Sequence, residues 1–151
     1  MRQLRIIFKT FINTFSSLLN VGGLMFLIIY IYAVFGMNFF AGLKLSYPLH
    51  ERLNFQNVGT AFITLIRVTT GENWNELLVA LSQENSIDFQ CIDSPSYDDY
   101  KNNNYETIGC GNVNIAYIFM FSYLILLTLI FLNLFIAIIL EGYFDTLDKE
   151  K

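Results

Sequence analysis

The sequence predicts an all-α membrane protein: two transmembrane helices flank a re-entrant helix–loop–helix, and an amphipathic interfacial helix precedes the first of them. Three observations predict it. The chain is 54% hydrophobic and only 15% charged, outside the range of an ordinary soluble domain. Its charges are segregated: residues 10–43 and 107–140 contain no Asp, Glu, Lys or Arg, and each stretch exceeds the roughly 20 residues that a spanning helix requires. Between them, the charge-free stretch 53–66 is too short to cross, and the acidic turn Thr69-Thr70-Gly71-Glu72-Asn73-Trp74 follows it.

Residues 1–17 place Leu4, Ile7, Phe8, Phe11, Ile12 and Phe15 at helical spacing, opposite Arg2, Arg5, Lys9 and Asn13. That pattern describes a linker helix lying in a membrane interface. It is read either as a surface anchor or as a lever that carries a pull from another domain. A bend near Asn20 and Gly22-Gly23 is expected before the first span, residues 18–43. The apolar part of this span far outruns the roughly 7–15 residues of a secretory signal, and no small-residue cleavage site closes it. The basic residues before it contain no acid among them, which favours the cytoplasm. A second span over 113–144 then returns the tail, 145–151, to the same side, so both termini are expected in the cytoplasm.

The outer connection begins with a turret, 44–53. The pore loop, 54–82, follows. Its charge-free 14 residues would extend about 21 Å as a helix, against a bilayer core near 30 Å. Phe55, Val58, Phe62, Leu65 and Ile66 fit one apolar face, and Arg67 ends it. A second short helix is expected over 75–81 with Leu77, Leu78 and Leu81 on one side. Irregular backbone at membrane depth is tolerated only where protein buries it or it lines water. A half-span closing in an acidic turn is therefore the arrangement a cation pore needs.

At that turn, Gly71 lets the backbone approach an axis, the Thr70 and Gly71 carbonyls can face water, and Glu72 supplies a carboxylate. Trp74 is a large anchor whose indole N–H can bond a neighbour. One carboxylate cannot select an ion, but a ring of four can. At an effective dielectric of 20, a divalent ion about 4.5 Å from one carboxylate gains on the order of 7 kcal/mol before dehydration, and a monovalent ion half that. Calcium suits carboxylates backed by carbonyls and waters. The alternative for the hexapeptide alone is an incidental exposed acid in a loop.

The outer connection, 83–112, is acidic: Glu84, Asp88, Asp93, Asp98, Asp99 and Glu106 stand against Lys101 alone. These acids either concentrate cations near the mouth, weakly at physiological salt, or form a solvated loop. Cys91 and Cys110 both fall here, where the compartment is oxidising. An internal disulfide would gather the segment 94–104 into a folded turret; two free thiols or a bond to another subunit are the alternatives. In the last span Asn133 is polar within apolar sequence, so it should face protein or a water-filled cavity. Phe135, Ile139 and Tyr143 form a stripe that could close a hydrophobic gate, or simply pack.

Several stretches together resemble one repeat of a four-repeat voltage-gated calcium channel, most like the fourth. They are the basic amphipathic linker, Ile31-Tyr32-Ala33-Val34-Phe35-Gly36-Met37, Asn54-Phe55-Gln56 opening the pore helix and Thr70-Gly71-Glu72-Asn73-Trp74. Cys91…Cys110-Gly111 and the closing Asn133-Leu134-Phe135-Ile136-Ala137-Ile138-Ile139-Leu140-Glu141 complete the set. The resemblance implies that Glu72 is one member of a four-carboxylate selectivity filter, with the Thr70 and Gly71 carbonyls forming inner calcium sites. It implies Ca²⁺ as the permeant ion with no cofactor. It also implies a plasma-membrane location, three further pore modules (other repeats of one polypeptide, or identical chains), a voltage-sensor domain and accessory subunits. The voltage-sensing helices are not among these residues. Sodium channels of the same superfamily share a Cys-Gly-Asn like Cys110-Gly111-Asn112, and bacterial ones pass sodium through glutamates, so a sodium or non-selective cation pore is the alternative. A non-conducting two-span accessory protein is the rival from another class.

No enzyme is expected. The single histidine, His50, reads as a turret surface residue, and no nucleophile motif, phosphate-cradling glycine loop or Cys/His metal spacing appears. The basic residues are too few for a nucleic-acid surface.

Overall fold

The computed structural model describes the backbone of residues 2–149 and the side chains of residue 19, residues 22–134 and residue 136. Among the described residues five helices follow in order: α1 (Arg2–Phe40), α2 (Val58–Thr69), α3 (Trp74–Leu81), α4 (Tyr97–Asn102) and α5 (Val113–Lys149). Only isolated β-bridges accompany them among the described residues. Two segments are long and apolar enough to cross a membrane: Gly22–Phe40, mean hydropathy 2.0, and Val113–Leu134, mean hydropathy 2.5. Only 22% and 28% of these windows are buried. A core helix of a soluble domain would be mostly covered, so most of this apolar surface is left for lipid or for other protein. The chain is an all-α membrane module.

Residues 1–28 and 125–151 form one compact unit, and residues 29–124 form a second. In the first, Leu127 and Ile130 are buried, whereas Phe26, Leu129 and Ile136 are exposed. Asn133, expected to face a cavity, is exposed in the single chain. The helix assignment runs unbroken through Gly22 and Gly23, where a bend was expected. Glycine weakens a helix by about 1 kcal/mol each but leaves its hydrogen-bond ladder whole, so it does not by itself end one. The linker side chains and the gate stripe Phe135, Ile139 and Tyr143 lie outside the described residues.

The second unit is built around aromatic rings. Phe40, Phe55 and Phe119 meet pairwise with centroids 5.2–5.9 Å apart, and Tyr32 packs on Phe119 and Tyr123 at 5.5 and 5.1 Å. Offset and edge-on pairs at such separations are the favoured geometry. They join α1 to α5 with Phe55, just before α2, between them.

The start of α2 differs from the sequence reading. Asn54-Phe55-Gln56 does not open the helix; it precedes it. The buried Asn54 side chain accepts from the Gln56 N–H (3.0 Å) and the Thr60 hydroxyl (2.8 Å), and donates to the His50 and Glu51 carbonyls. A side chain that takes its neighbour's amide this way competes with helix formation. The helix begins only after Asn57, whose extended backbone and side-chain bond to the Thr60 N–H (2.9 Å) make it the N-cap. The buried face of α2 is also rotated from the one expected: Ala61, Thr64, Leu65 and Val68 are buried, and Ile66 is exposed. His50 is on the surface.

The connection between the spans is an ordered lattice. Gly109 donates to the Gly42 carbonyl and accepts from the Lys44 N–H, both at 2.9 Å. Gly111 donates to Gln83 (2.7 Å) and Asn112 to Leu81 (3.2 Å), which ties the end of α3 to the start of α5. Cys91 and Cys110 are joined by a disulfide.

Helix α4 was not foreseen, although its start signal is present. Ser96 and Asp99 form a reciprocal capping box. The Ser96 hydroxyl and then its backbone N–H hold the Asp99 carboxyl below its usual range. A depressed folded-state pKa contributes stability above the unfolded value, lost as pH falls through the folded one. Protection of the α4 amides from hydrogen exchange, corrected for intrinsic rate, is therefore expected to hold at neutral pH. It should fall on acidification below about pH 4, and Asp99→Asn should remove this dependence.

Candidate functional site

The turn between α2 and α3 gathers the residues singled out in the sequence. At the end of α2 the Thr70 N–H donates to Ile66 and Arg67 (3.3 and 3.2 Å), the Thr70 hydroxyl to Arg67 (2.6 Å), and the Gly71 N–H to Val68 (2.9 Å). The last carbonyls of the helix are thus capped locally. Among the described residues, no hydrogen bond of the turn is accepted by the Thr70 or Gly71 carbonyl.

Gly71 has φ +81° and open space where a Cβ would stand, so backbone conformation rather than crowding requires glycine. Asn73 follows at φ 51°, a left-handed conformation asparagine tolerates. These two reversals bring the chain round into α3. The Trp74 ring meets Phe121 edge-on at 6.5 Å; no described hydrogen bond uses its indole N–H, so its hold on the turn is by packing.

Two further features escaped the sequence reading. The first is Tyr123, fully buried on α5. Its hydroxyl lies 2.7 Å from that of Thr69, and both lie 2.9 Å from the Leu65 carbonyl oxygen. The turn is therefore braced from beneath by the second span. A tyrosine inside an apolar stretch was its only advance signal.

The second is an ion pair. Arg67 Nη2 stands 2.9 Å from Glu72 Oε1, with the side chains 32% and 62% exposed. Arg67 is the sole charged residue of α2, and the pair bridges the turn at a separation of five residues. Among the described residues, Arg67 Nε is buried with no hydrogen-bond partner, and so is Glu76 Oε2 in the first turn of α3. Among the described residues, no group of three His, Cys, Asp or Glu side chains stands where it could hold a metal ion.

The family model for the ion transport protein matches residues 1–151. The chain is 35% identical over 128 residues to sodium channel protein 1 brain of Heterololigo bleekeri, a match covering 84% of this chain and 8% of that protein. It is 33% identical over 129 residues to human sodium channel protein type 2 subunit alpha, covering 84% and 6%. With the sodium channel protein type 10 subunit alpha of Onychomys torridus the identity is 30% over 144 residues, covering 94% and 7%. The chain spans less than a tenth of the length of these relatives. By a match that runs from its first residue to its last, together with two spans and the braced turn between them, the chain belongs to the ion transport protein family.

Proposed function

We propose that the chain is the pore module of a voltage-gated cation channel and that it passes sodium. The observation that carries the pore reading is the turn after α2, a capped half-span whose Thr70 and Gly71 carbonyls take no described hydrogen bond and whose Glu72 carboxylate is exposed. The relatives' names favour sodium over the calcium that Glu72 alone suggests. Calcium remains the second reading, on the strength of that carboxylate and the Thr70-Gly71-Glu72 resemblance to a fourth repeat.

In this reading the Thr70 and Gly71 carbonyls and the Glu72 side chain, with Asn73 and Trp74 fixing the turn, contribute one quarter of a selectivity filter. Three further pore modules complete it, and a voltage-sensor domain acts through the residues before the first span. Accessory subunits would meet the assembled channel from outside this module. The disulfide loop faces outward, both termini face the cytoplasm, and the plasma membrane is the site of action. Asn133, Phe135, Ile139 and Tyr143 are proposed to line the inner cavity and gate.

The test is electrical, on the full-length protein in a heterologous cell. Depolarisation should evoke an inward current that collapses when external sodium is replaced by an impermeant organic cation. Glu72→Gln should shift the permeability ratio among cations. A current that survives sodium removal and vanishes without calcium would favour the second reading, and no depolarisation-evoked current in any cation would reject the channel reading.

A further inference from the structure

We infer that Arg67 is a specificity-determining residue that offsets the Glu72 carboxylate and so biases the filter against divalent cations. The inference rests on the pore reading above and extends it to a residue outside the filter turn.

The geometry is direct. The Nη2–Oε1 separation is 2.9 Å, and Glu72 is the only described hydrogen-bond partner of the Arg67 side chain. The guanidinium is not spent on helix capping, because Thr70 and Gly71 already take the last carbonyls of α2. The guanidinium is a cationic fork that matches a carboxylate, so it opposes the field of Glu72.

The consequence for an ion follows from Coulomb's law. In a uniform dielectric, for a cation placed about 4.5 Å from the carboxylate and about 7 Å from the paired guanidinium, the repulsion would cancel about two thirds of the attraction. The energy lost scales with ion charge, so a divalent ion loses twice what a monovalent one does. A filter glutamate that would hold calcium strongly when unpaired thereby becomes a moderate site, which suits a sodium pathway. The same pair also orients the carboxylate, since a guanidinium holds its partner through directional donors.

The experiment uses the full-length channel and four variants (Arg67→Gln, Arg67→Lys, Glu72→Gln and the double variant Arg67→Gln/Glu72→Gln), with calcium as the probe. Two quantities are read: the calcium-to-sodium permeability ratio from bi-ionic reversal potentials, and the external calcium concentration that halves sodium current. Arg67→Gln should raise the permeability ratio and lower the half-blocking calcium concentration by roughly tenfold or more. Arg67→Lys keeps the charge and should stay near wild type in both. Glu72→Gln should abolish the high-affinity block in the Arg67→Gln background.

Arg67→Gln with both quantities unchanged, while Glu72→Gln alters them, overturns the role of Arg67 and leaves the filter reading intact. Glu72→Gln without effect rejects the filter reading itself. Should Arg67→Gln pass no current, thermal unfolding of the purified channel across a calcium titration gives the same decision. Stabilisation at lower calcium than wild type supports the inference, and an unchanged calcium dependence overturns it.

Discussion

Replacing Gly36 by valine is expected to destabilise the second unit by roughly 3 kcal/mol or more, although the site is a glycine inside a helix. Helix propensity argues the other way: Gly→Ala in a helix interior gains about 1 kcal/mol. Packing decides the sign. A Cβ at Gly36 would stand 2.6 and 2.7 Å from two carbons of the Phe55 ring and 3.1 Å from Phe119 Cζ. Neither ring can swing aside, because each packs on the other and on Phe40, and both are buried. Gly36→Ala should therefore cost about 1 kcal/mol net, after its propensity gain is subtracted from an overpacking penalty of about 2. Valine adds two methyls to the same contact. Gly22→Ala and Gly23→Ala supply the control, since among the described residues nothing lies within 4 Å of a Cβ at either; they should be neutral or slightly stabilising. Thermal unfolding of the purified protein in detergent reads all four. Combining Gly36→Ala with Phe55→Leu should recover part of the loss, as a shared contact requires. Equal effects at Gly36 and Gly22 would show that the ring cluster does not confine the helix.

The spans were legible because two long charge-free stretches leave few other outcomes, and the turn between α2 and α3 because Thr70-Gly71-Glu72 follows a stretch too short to cross. What lay between was harder, for reasons visible in particular residues. The face of α2 is misjudged because Ile66, placed on the buried side, is apolar yet exposed. Where one side of a helix is left for lipid or other protein, hydrophobicity no longer marks the buried side. Asn54-Phe55-Gln56 reads as the opening of a helix because an asparagine can cap a helix in more than one local way, and here its side chain takes the Gln56 amide, reinforced by the Thr60 hydroxyl and the His50 carbonyl. The Arg67–Glu72 pair falls outside the three- and four-residue spacings that helix surfaces bring together. It forms across the turn in which Gly71 takes left-handed backbone. The Ser96–Asp99 box was readable from spacing alone and was overlooked within an acidic run that looked like solvated loop.

Loss of the Cys91–Cys110 disulfide is expected to cost about 3 kcal/mol, and the three ways of losing it should cost nearly the same. The bridge closes a sequence separation of 19 residues, for which restriction of the unfolded chain predicts a value of that order. It does not act alone. Cys110 donates to the Ile92 carbonyl at 3.2 Å, Ile92 to Ile108 at 2.9 Å, and Gly111 and Asn112 bond Gln83 and Leu81 beside it. These bonds persist in part when the sulfurs part, which keeps the cost from the upper end of the range. Cys91→Ser, Cys110→Ser and the double variant break one and the same bond, so their effects must not add. The double variant should also match wild type treated with reductant and should itself be indifferent to reductant. Thermal unfolding with and without reductant measures every arm. If the two single losses summed in the double variant, each cysteine would be stabilising through its own packing, and Cys91, which is buried, would be the first to re-examine as a core side chain. If reductant left wild type unchanged, the hydrogen-bonded lattice would be sufficient to hold the end of α3 against the start of α5 without the bridge.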